Sequence, residues 1–345
     1  MIRVQNIYYM LAYAFQILHE QGYKDVAVED FQNVAELLAA ILCRGVSVQI
    51  KRELGKQYIT KEEPLSSPRG KIEVSESIKT QVIRKKQLVC AYDEFSVDAY
   101  MNRIIKTTME VLLKANITKS RKKEIRKLLI FFTEVSSLDK HGINWELQYD
   151  RNNQTYRMLI AICQLVMKGL LQTNADGTTR IMDYLDEQSM PKLYEKFILG
   201  YYQREHPELK AHSPQIDWKL DDGYKTMLPT MQSDIVIKST KTKKTLIIDA
   251  KYYAHNTQMK APYMTHTIHS GNLYQIFTYV KNWELAPGET VAGMLLYART
   301  DDEIQPGNSY QMSGNQISVR TLDLHCDFSV IAAQLDEIAQ FVNRE

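Results

Sequence analysis

Residues 233–253 read SDIVIKSTKTKKTLIIDAKYY, and the fold turns on how this stretch pairs with itself. Two runs rich in β-branched residues, DIVIK at 234–238 and TLIIDAKYY at 245–253, flank a polar loop at 239–244. That is a hairpin pattern without a tight glycine turn. Strand side chains alternate, so Asp249 and Lys251 share one face while Ala250 points the other way. A loop centred between Lys241 and Thr242 sets Asp234 directly opposite Asp249, with Cβ atoms about 5 Å apart. At an effective dielectric near 20 their repulsion is roughly 3 kcal/mol, which a fold tolerates when a cation lies between them. A hard divalent metal suits two carboxylates.

Asp234, followed by Asp249-Ala250-Lys251 at the end of an apolar strand, resembles the PD-(D/E)XK nuclease motif. The first half is degenerate, because Ser233 precedes Asp234 and the nearest proline is Pro229. The resemblance implies Mg²⁺ held by Asp234 and Asp249 against a scissile phosphate, with Lys251 orienting or activating the attacking water. The competing reading of the same residues is an exposed hairpin with solvated charges.

The flanking segments supply context. Before the hairpin, PKLYEKFILGYYQREH begins at Pro191, a residue suited to a helix's first turn. Its apolar stripe uses Leu193, Phe197, Ile198 and Tyr201, and Glu195 lies at the border of that stripe. A carboxylate half turned inward is a candidate to reach the metal site. After the hairpin, residues 254–270 form a loop long enough to be functional. It contains His266 and His269, which without a helical frame or nearby carboxylates make a poor metal pair, so the loop reads as DNA-facing. The helix GNLYQIFTYVKNWEL then turns Leu273, Ile276, Phe277 and Val280 inward and leaves Gln275 near the flank facing the hairpin. The strand VAGMLLYA, a further strand at 316–322 and a closing helix at 328–342 follow. With a strand near 225–228, the order becomes the αβββαβ of the PD-(D/E)XK core.

The first half of the chain has another texture. Residues 7–18 carry apolar side chains at helical spacing, and a second helix is expected at 34–42. Residues 45–92 read as strands, VSVQIKREL, KQYITKEEP and QLVCAY, around a loop at 64–70. Helices are expected at 98–114 and 119–132, then a polar, irregular stretch ending in Asn152, Asn153 and Gln154. The expected division is therefore 1–150, a helical and β module, and 151–345, a PD-(D/E)XK restriction-endonuclease-like domain. The fold class is mixed α/β (α+β).

At 345 residues the chain can hold two cores. A formal net charge of +2 excludes a broadly basic surface, so any nucleic-acid contact must come from local patches. Candidates are Arg121, Lys122, Lys123, Arg126 and Lys127 on one helix and the triplet Arg84, Lys85, Lys86, although a solvated charge face accounts for each as well. Cys43, Cys90, Cys163 and Cys326 form no CxxC pair, which suits a reducing compartment rather than a disulfide or zinc framework. The apolar run at 7–18 is too short to span a bilayer and lacks a basic leader. A cytoplasmic protein with no membrane segment is expected.

The opening VQNIYYMLAYAF, GKIE at 70–73, NRIIKTT at 102–108, IIDAKYY at 247–253 and NLYQ at 272–275 together resemble the McrC family, nuclease subunits of the McrBC modification-dependent restriction systems. The resemblance spans nearly the whole chain in order. It implies cleavage of double-stranded, 5-methylcytosine-containing DNA together with McrB, an AAA+ GTPase ring that reads and translocates the DNA. The N-terminal domain would dock on that ring and stimulate GTP hydrolysis. GTP would be bound by the partner, and no G-x-x-x-x-G-K-[ST] phosphate loop occurs in this chain. Asp234, Asp249 and Glu195 would serve Mg²⁺, Lys251 the water, and Gln275 would support the site. Segments between 45 and 92 would form the docking surface, with Arg52 and Arg69 probing the partner's nucleotide pocket. A non-catalytic adaptor and a stand-alone nuclease are the alternatives, and intact Asp234, Asp249 and Lys251 argue against the first.

Overall fold

The apolar spacing of the opening residues forms the helix it predicts, α1 (Val4–Phe15), in a computed structural model that describes residues 2–15, 31, 33–150, 153, 155–171, 190–260 and 265–344. Leu18, Asn152, Gln154 and the stretch at 173–179 lie outside the described residues. Contacts divide the chain into two units, Met1–Val34 together with Met182–Glu345, and Ala35–Ile181. The opening helix thus belongs with the second half of the sequence rather than with the residues that follow it, and the division falls away from position 150.

In the unit Ala35–Ile181, α2 (Val34–Lys51) runs well past the expected end at 42. The β-branched run after Gly45 is helical, not a strand. Leu38, Ile41, Leu42 and Val46 form a fully buried helical stripe, and that burial outweighs a β preference spanning only about 1 kcal/mol. A three-stranded antiparallel arm follows. It comprises β1 (Gln57–Leu65), β2 (Lys71–Ile72) and β3 (Leu88–Ser96), with β3 in the middle and Gln57 opposite Ser96. A short helix, α3 (Val74–Lys79), interrupts it. Gly70, in the GKIE motif, has φ +71°, and a Cβ there would lie 2.3 Å from the Ala91 carbonyl oxygen, so only glycine fits. Beyond the arm come α4 (Tyr100–Leu112), α5 (Lys119–Leu129) and α6 (Tyr156–Leu171).

The arm is knotted at its base. Asn102, fully buried on α4, donates through Nδ2 to the carbonyls of Gly55 and Val97, each at 2.8 Å. Those residues bracket the arm. The Tyr156 hydroxyl donates to Asn102 Oδ1 at 2.7 Å and accepts the Gly55 N–H at 2.7 Å. The NRIIKTT motif therefore carries the residue that joins both ends of the arm to the helices.

In the other unit, α7 (Met190–Glu205) is buried around most of its circumference, including Tyr194, Phe197, Ile198 and Tyr202. Helix α1 packs on it so closely that a Cβ on Gly200 would meet the Tyr13 carbonyl oxygen at 2.2 Å. After a short antiparallel pair, β4 (Gln215–Ile216) and β5 (Met231–Gln232), come β6 (Ile235–Lys238) and β7 (Lys244–Lys251). The strand expected at 225–228 is absent. Met227 takes a φ of 66° and the Leu228 N–H closes a turn onto the Lys225 carbonyl. The expected loop at 254–270 contains a small hairpin, β8 (Gln258–Lys260) with β9 (Thr265–Thr267).

Next come α8 (Ser270–Asn282), β10 (Thr290–Ala298), β11 (Ser309–Met312), β12 (Asn315–Leu322) and α9 (Phe328–Asn343). The five-stranded mixed sheet has the order β11-β12-β10-β7-β6. Strands β7, β10 and β12 are parallel and both outer pairs are antiparallel. Ile276 and Val280 of α8 cover one face, against Ile247, Leu295, Ile317 and Val319. Alternate residues Leu246, Ile248, Met294 and Leu296 are equally buried, and α7 and α9 pack on β7. Burial on both faces is why these strands read as unbroken apolar runs. The observed mixture of helices and a mixed sheet is the expected fold class. No helix among the described residues is long and apolar enough to cross a membrane.

Candidate active site

The hairpin pairs in the expected register. Ile235 lies opposite Ile248 and Lys238 opposite Thr245, so Asp234 follows as the residue facing Asp249. The hairpin is not exposed. Asp249 is fully buried, and neither carboxylate oxygen has a well-aligned hydrogen-bond donor. Its neighbour is the Lys251 ammonium, 2.7 Å from Oδ2, as the shared strand face requires. Asp234 is held by the motif's own backbone, since the Ala250 N–H donates to its Oδ2 at 2.8 Å.

Burial, the Asp249 charge and then the Glu195 charge push the Asp234 carboxyl up to about 7. Burial likewise raises Asp249 against the opposing pull of Lys251. Desolvation lowers Lys251, but the Asp249 charge outweighs it and leaves the ammonium above its ordinary value. A cation is thus held at neutral pH beside carboxylates that resist ionising together.

Gln275 stands where its helical position suggests. Lys251 Nζ donates to Gln275 Oε1 at 3.0 Å. Gln275 Nε2 donates to the Tyr279 hydroxyl at 2.8 Å, and that hydroxyl donates to the Gln232 carbonyl at 3.0 Å. This chain runs from the lysine to the short strand before the hairpin. Tyr279 escaped the sequence reading, although its position four residues after Gln275 puts both on one helix face.

Glu195 is half-buried on α7, and its carboxyl is raised by burial, partly offset by Lys251 and raised further by Asp249. It shares the electrostatic field of the pair. Even so, no group of three or more His, Cys, Asp or Glu residues among those described is placed to hold a metal. His266 and His269 are engaged elsewhere, with the Thr257 hydroxyl and the His255 carbonyl.

The pair nevertheless fits a divalent cation. Two opposed carboxylates, one of them fully buried and neutralised only by the Lys251 ammonium, form an all-oxygen donor set suited to a hard ion. Two protein carboxylates, with the remaining positions left to phosphate oxygens and water, is a usual supply for Mg²⁺.

Other candidates fall in the unit Ala35–Ile181. Arg121 is tied to Glu36 at 3.2 Å and to Glu124 at 2.7 Å, so it is part of that unit's framework. Arg69 lies 3.5 Å over the Tyr92 ring. Arg52 is exposed.

Comparison with known proteins identifies this set of elements. The model of the family described as McrBC 5-methylcytosine restriction system component matches residues 3–298. The chain belongs to that family. The match takes in every segment that carries the resemblance to McrC, from VQNIYYMLAYAF to NLYQ, and ends at the last residue of β10. An Escherichia coli (strain K12) protein named Type IV methyl-directed restriction enzyme EcoKMcrBC is 29% identical over 345 residues, covering 98% of this chain and 97% of its own length. Among solved structures, a half-complex from a tetradecameric assembly of Thermococcus gammatolerans McrB AAA+ hexamers with bound McrC matches with a TM-score of 0.51. Its identity is 16%, and the match covers 97% of this chain and 76% of that one. The McrBC-family fold is therefore shared despite low sequence identity.

Proposed function

We propose that this McrBC-family chain is the Mg²⁺-dependent endonuclease subunit of a modification-dependent restriction complex, cutting 5-methylcytosine-containing double-stranded DNA when docked on an AAA+ GTPase ring. The observation that carries the reading is the buried Asp249, without an aligned donor, facing Asp234 and flanked by Lys251. A purely structural hairpin has no use for opposed, desolvated carboxylates.

Asp234 and Asp249 are the residues that would hold the metal. Bound Mg²⁺ supplies charge neutralisation at the phosphate oxygens. Lys251, aimed by Gln275, orients the attacking water or meets the charge developing on the phosphate. Glu195 adds negative potential from α7. The β1–β3 arm is the part assigned to partner docking. Its first strand is largely exposed, and Tyr58 and Phe95 pack on each other at its surface with 75% and 56% exposure. In this reading Arg52 meets the partner's nucleotide pocket, while Arg69 is first of all a stacking partner of Tyr92. The name of the E. coli relative, a methyl-directed restriction enzyme, supports the substrate class. The Thermococcus assembly of McrB AAA+ hexamers with McrC supports the partner class.

The test is cleavage of methylated plasmid by this chain with a McrB-type GTPase partner, GTP and Mg²⁺, comparing wild type with Asp249→Ala. Cleavage should vanish in the variant while stimulated GTP hydrolysis persists. A variant that still cuts would remove Asp249 from the reaction.

A further inference from the structure

Beyond the metal and lysine residues, the same end of the sheet presents an aromatic ring that the reaction just described does not use. Tyr253 follows β7 directly, two residues after Lys251, and is 38% exposed. Three other observations show how firmly it is held. Its hydroxyl donates to Asn272 Oδ1 at 3.2 Å, and Asn272 in turn donates to the buried Tyr297 hydroxyl at 2.9 Å. Its ring lies against two others, with centroids 5.2 Å from His269 and 6.1 Å from Tyr297. Tyr297 is the register partner of Lys251 on β10, so the ring and the lysine share one wall. Three residues further on, fully buried Asn256 donates to the Ala298 carbonyl at 2.8 Å and to Gln305 Oε1 at 3.0 Å. Asn256 thereby fastens the chain leaving Tyr253 to the loop after β10.

An aromatic side chain fixed at its backbone, its hydroxyl and its ring edge gives up little entropy on binding. A tyrosine with no binding partner would gain by burying that ring further, but here the surroundings hold it at the surface.

We infer that Tyr253 is a nucleoside shelf: its exposed ring packs against the sugar and base edge of the nucleotide flanking the scissile phosphate and sets the phosphate's position relative to Lys251. The assignment rests on the nuclease reading of Asp234, Asp249 and Lys251. Ring contacts of this kind tolerate any base, because every nucleoside offers an apolar face. That suits an enzyme whose sequence reading is done elsewhere. The hydroxyl's role is to aim the ring, so the ring contributes most and the hydroxyl less.

The experiment compares wild type, Tyr253→Phe and Tyr253→Ala in the full complex with the GTPase partner, following cleavage of methylated plasmid across DNA concentrations. Mg²⁺-induced thermal stabilisation of each protein is recorded alongside. Tyr253→Ala should lose on the order of 10- to 100-fold in kcat/KM, with kcat falling as well as KM rising because the phosphate is no longer set against Lys251. Tyr253→Phe, which keeps the ring, should recover most of that loss. Both variants should keep the wild-type Mg²⁺ shift, since Tyr253 binds no metal. Equal kcat/KM in Tyr253→Ala and wild type overturns the shelf. So does failure of Tyr253→Phe to rescue, or a lost Mg²⁺ shift in Tyr253→Ala, which would make the residue structural. A wild type that cuts no DNA with its partner present refutes the nuclease reading itself, and with it the shelf.

Discussion

Replacing Asp234 by Asn isolates the cost of holding two carboxylates in one buried site. The Asp234 carboxyl is pushed from 3.8 up to about 7 by burial, then by Asp249 and Glu195. The folded protein therefore binds this proton more tightly than the unfolded chain. The Asp234 contribution to metal-free stability is fully present below about pH 4, is lost as the pH rises and levels off above about pH 7. At that plateau the repulsion between two carboxylates about 5 Å apart, at an effective dielectric near 20, costs about 2–4 kcal/mol. Asparagine removes the charge yet keeps an oxygen to accept the Ala250 N–H, now 2.8 Å from Oδ2, so no backbone donor is orphaned.

In EDTA near pH 8, Asp234→Asn should melt roughly 5–15 °C above wild type, at about 2–4 °C per kcal/mol for a unit of this size. Near pH 4 the difference should close to below about 1 kcal/mol. Adding Mg²⁺ near pH 8 should raise the wild-type melting temperature and leave the variant's unchanged, since a ligand stabilises only the state that binds it. Thermal unfolding followed by circular dichroism reads all three. A variant no more stable than wild type in EDTA near pH 8, or one that gains as much from Mg²⁺, would refute the argument from apposed carboxylates.

Two further outcomes follow from packing and hydrogen bonding. Gln275→Ala frees Lys251 from its 3.0 Å acceptor. A hydrogen bond to a charged group is worth about 1.5–3 kcal/mol, so single-turnover cleavage should fall by about 10- to 100-fold with the Mg²⁺ shift retained; wild-type turnover would show that the lysine needs no such support. Gly200→Ala puts a methyl group 2.2 Å from the Tyr13 carbonyl oxygen. It should cost about 1–3 kcal/mol by forcing α1 off α7, read as a lower melting temperature, and an unchanged melting curve would mean that the two helices can separate at no cost.

Much of the site was legible because its signals are local. Strand alternation and the loop centre placed Asp234, Asp249 and Lys251 together without any tertiary information, and the register formed is the one those rules require. Helical spacing likewise carried α1 and α8. The strand reading failed after Gly45, where β-branched residues continue α2 because its stripe is buried. A strand reading failed again at 225–228, where Met227 adopts a left-handed turn conformation.

By itself, the sequence determined the chemistry: which residue types stand at which spacing, and hence that two carboxylates and a lysine would meet on one face of the hairpin. Only the tertiary structure decided how those groups behave. Complete burial of Asp249 beneath α8, the Lys251–Gln275–Tyr279 chain and the knot of Asn102 with Gly55, Val97 and Tyr156 all join residues from separate elements. Desolvation depends on everything packed around a group rather than on its sequence neighbours. For that reason a D-x-K that reads locally as surface charge becomes, in the folded chain, a desolvated carboxylate held against its lysine.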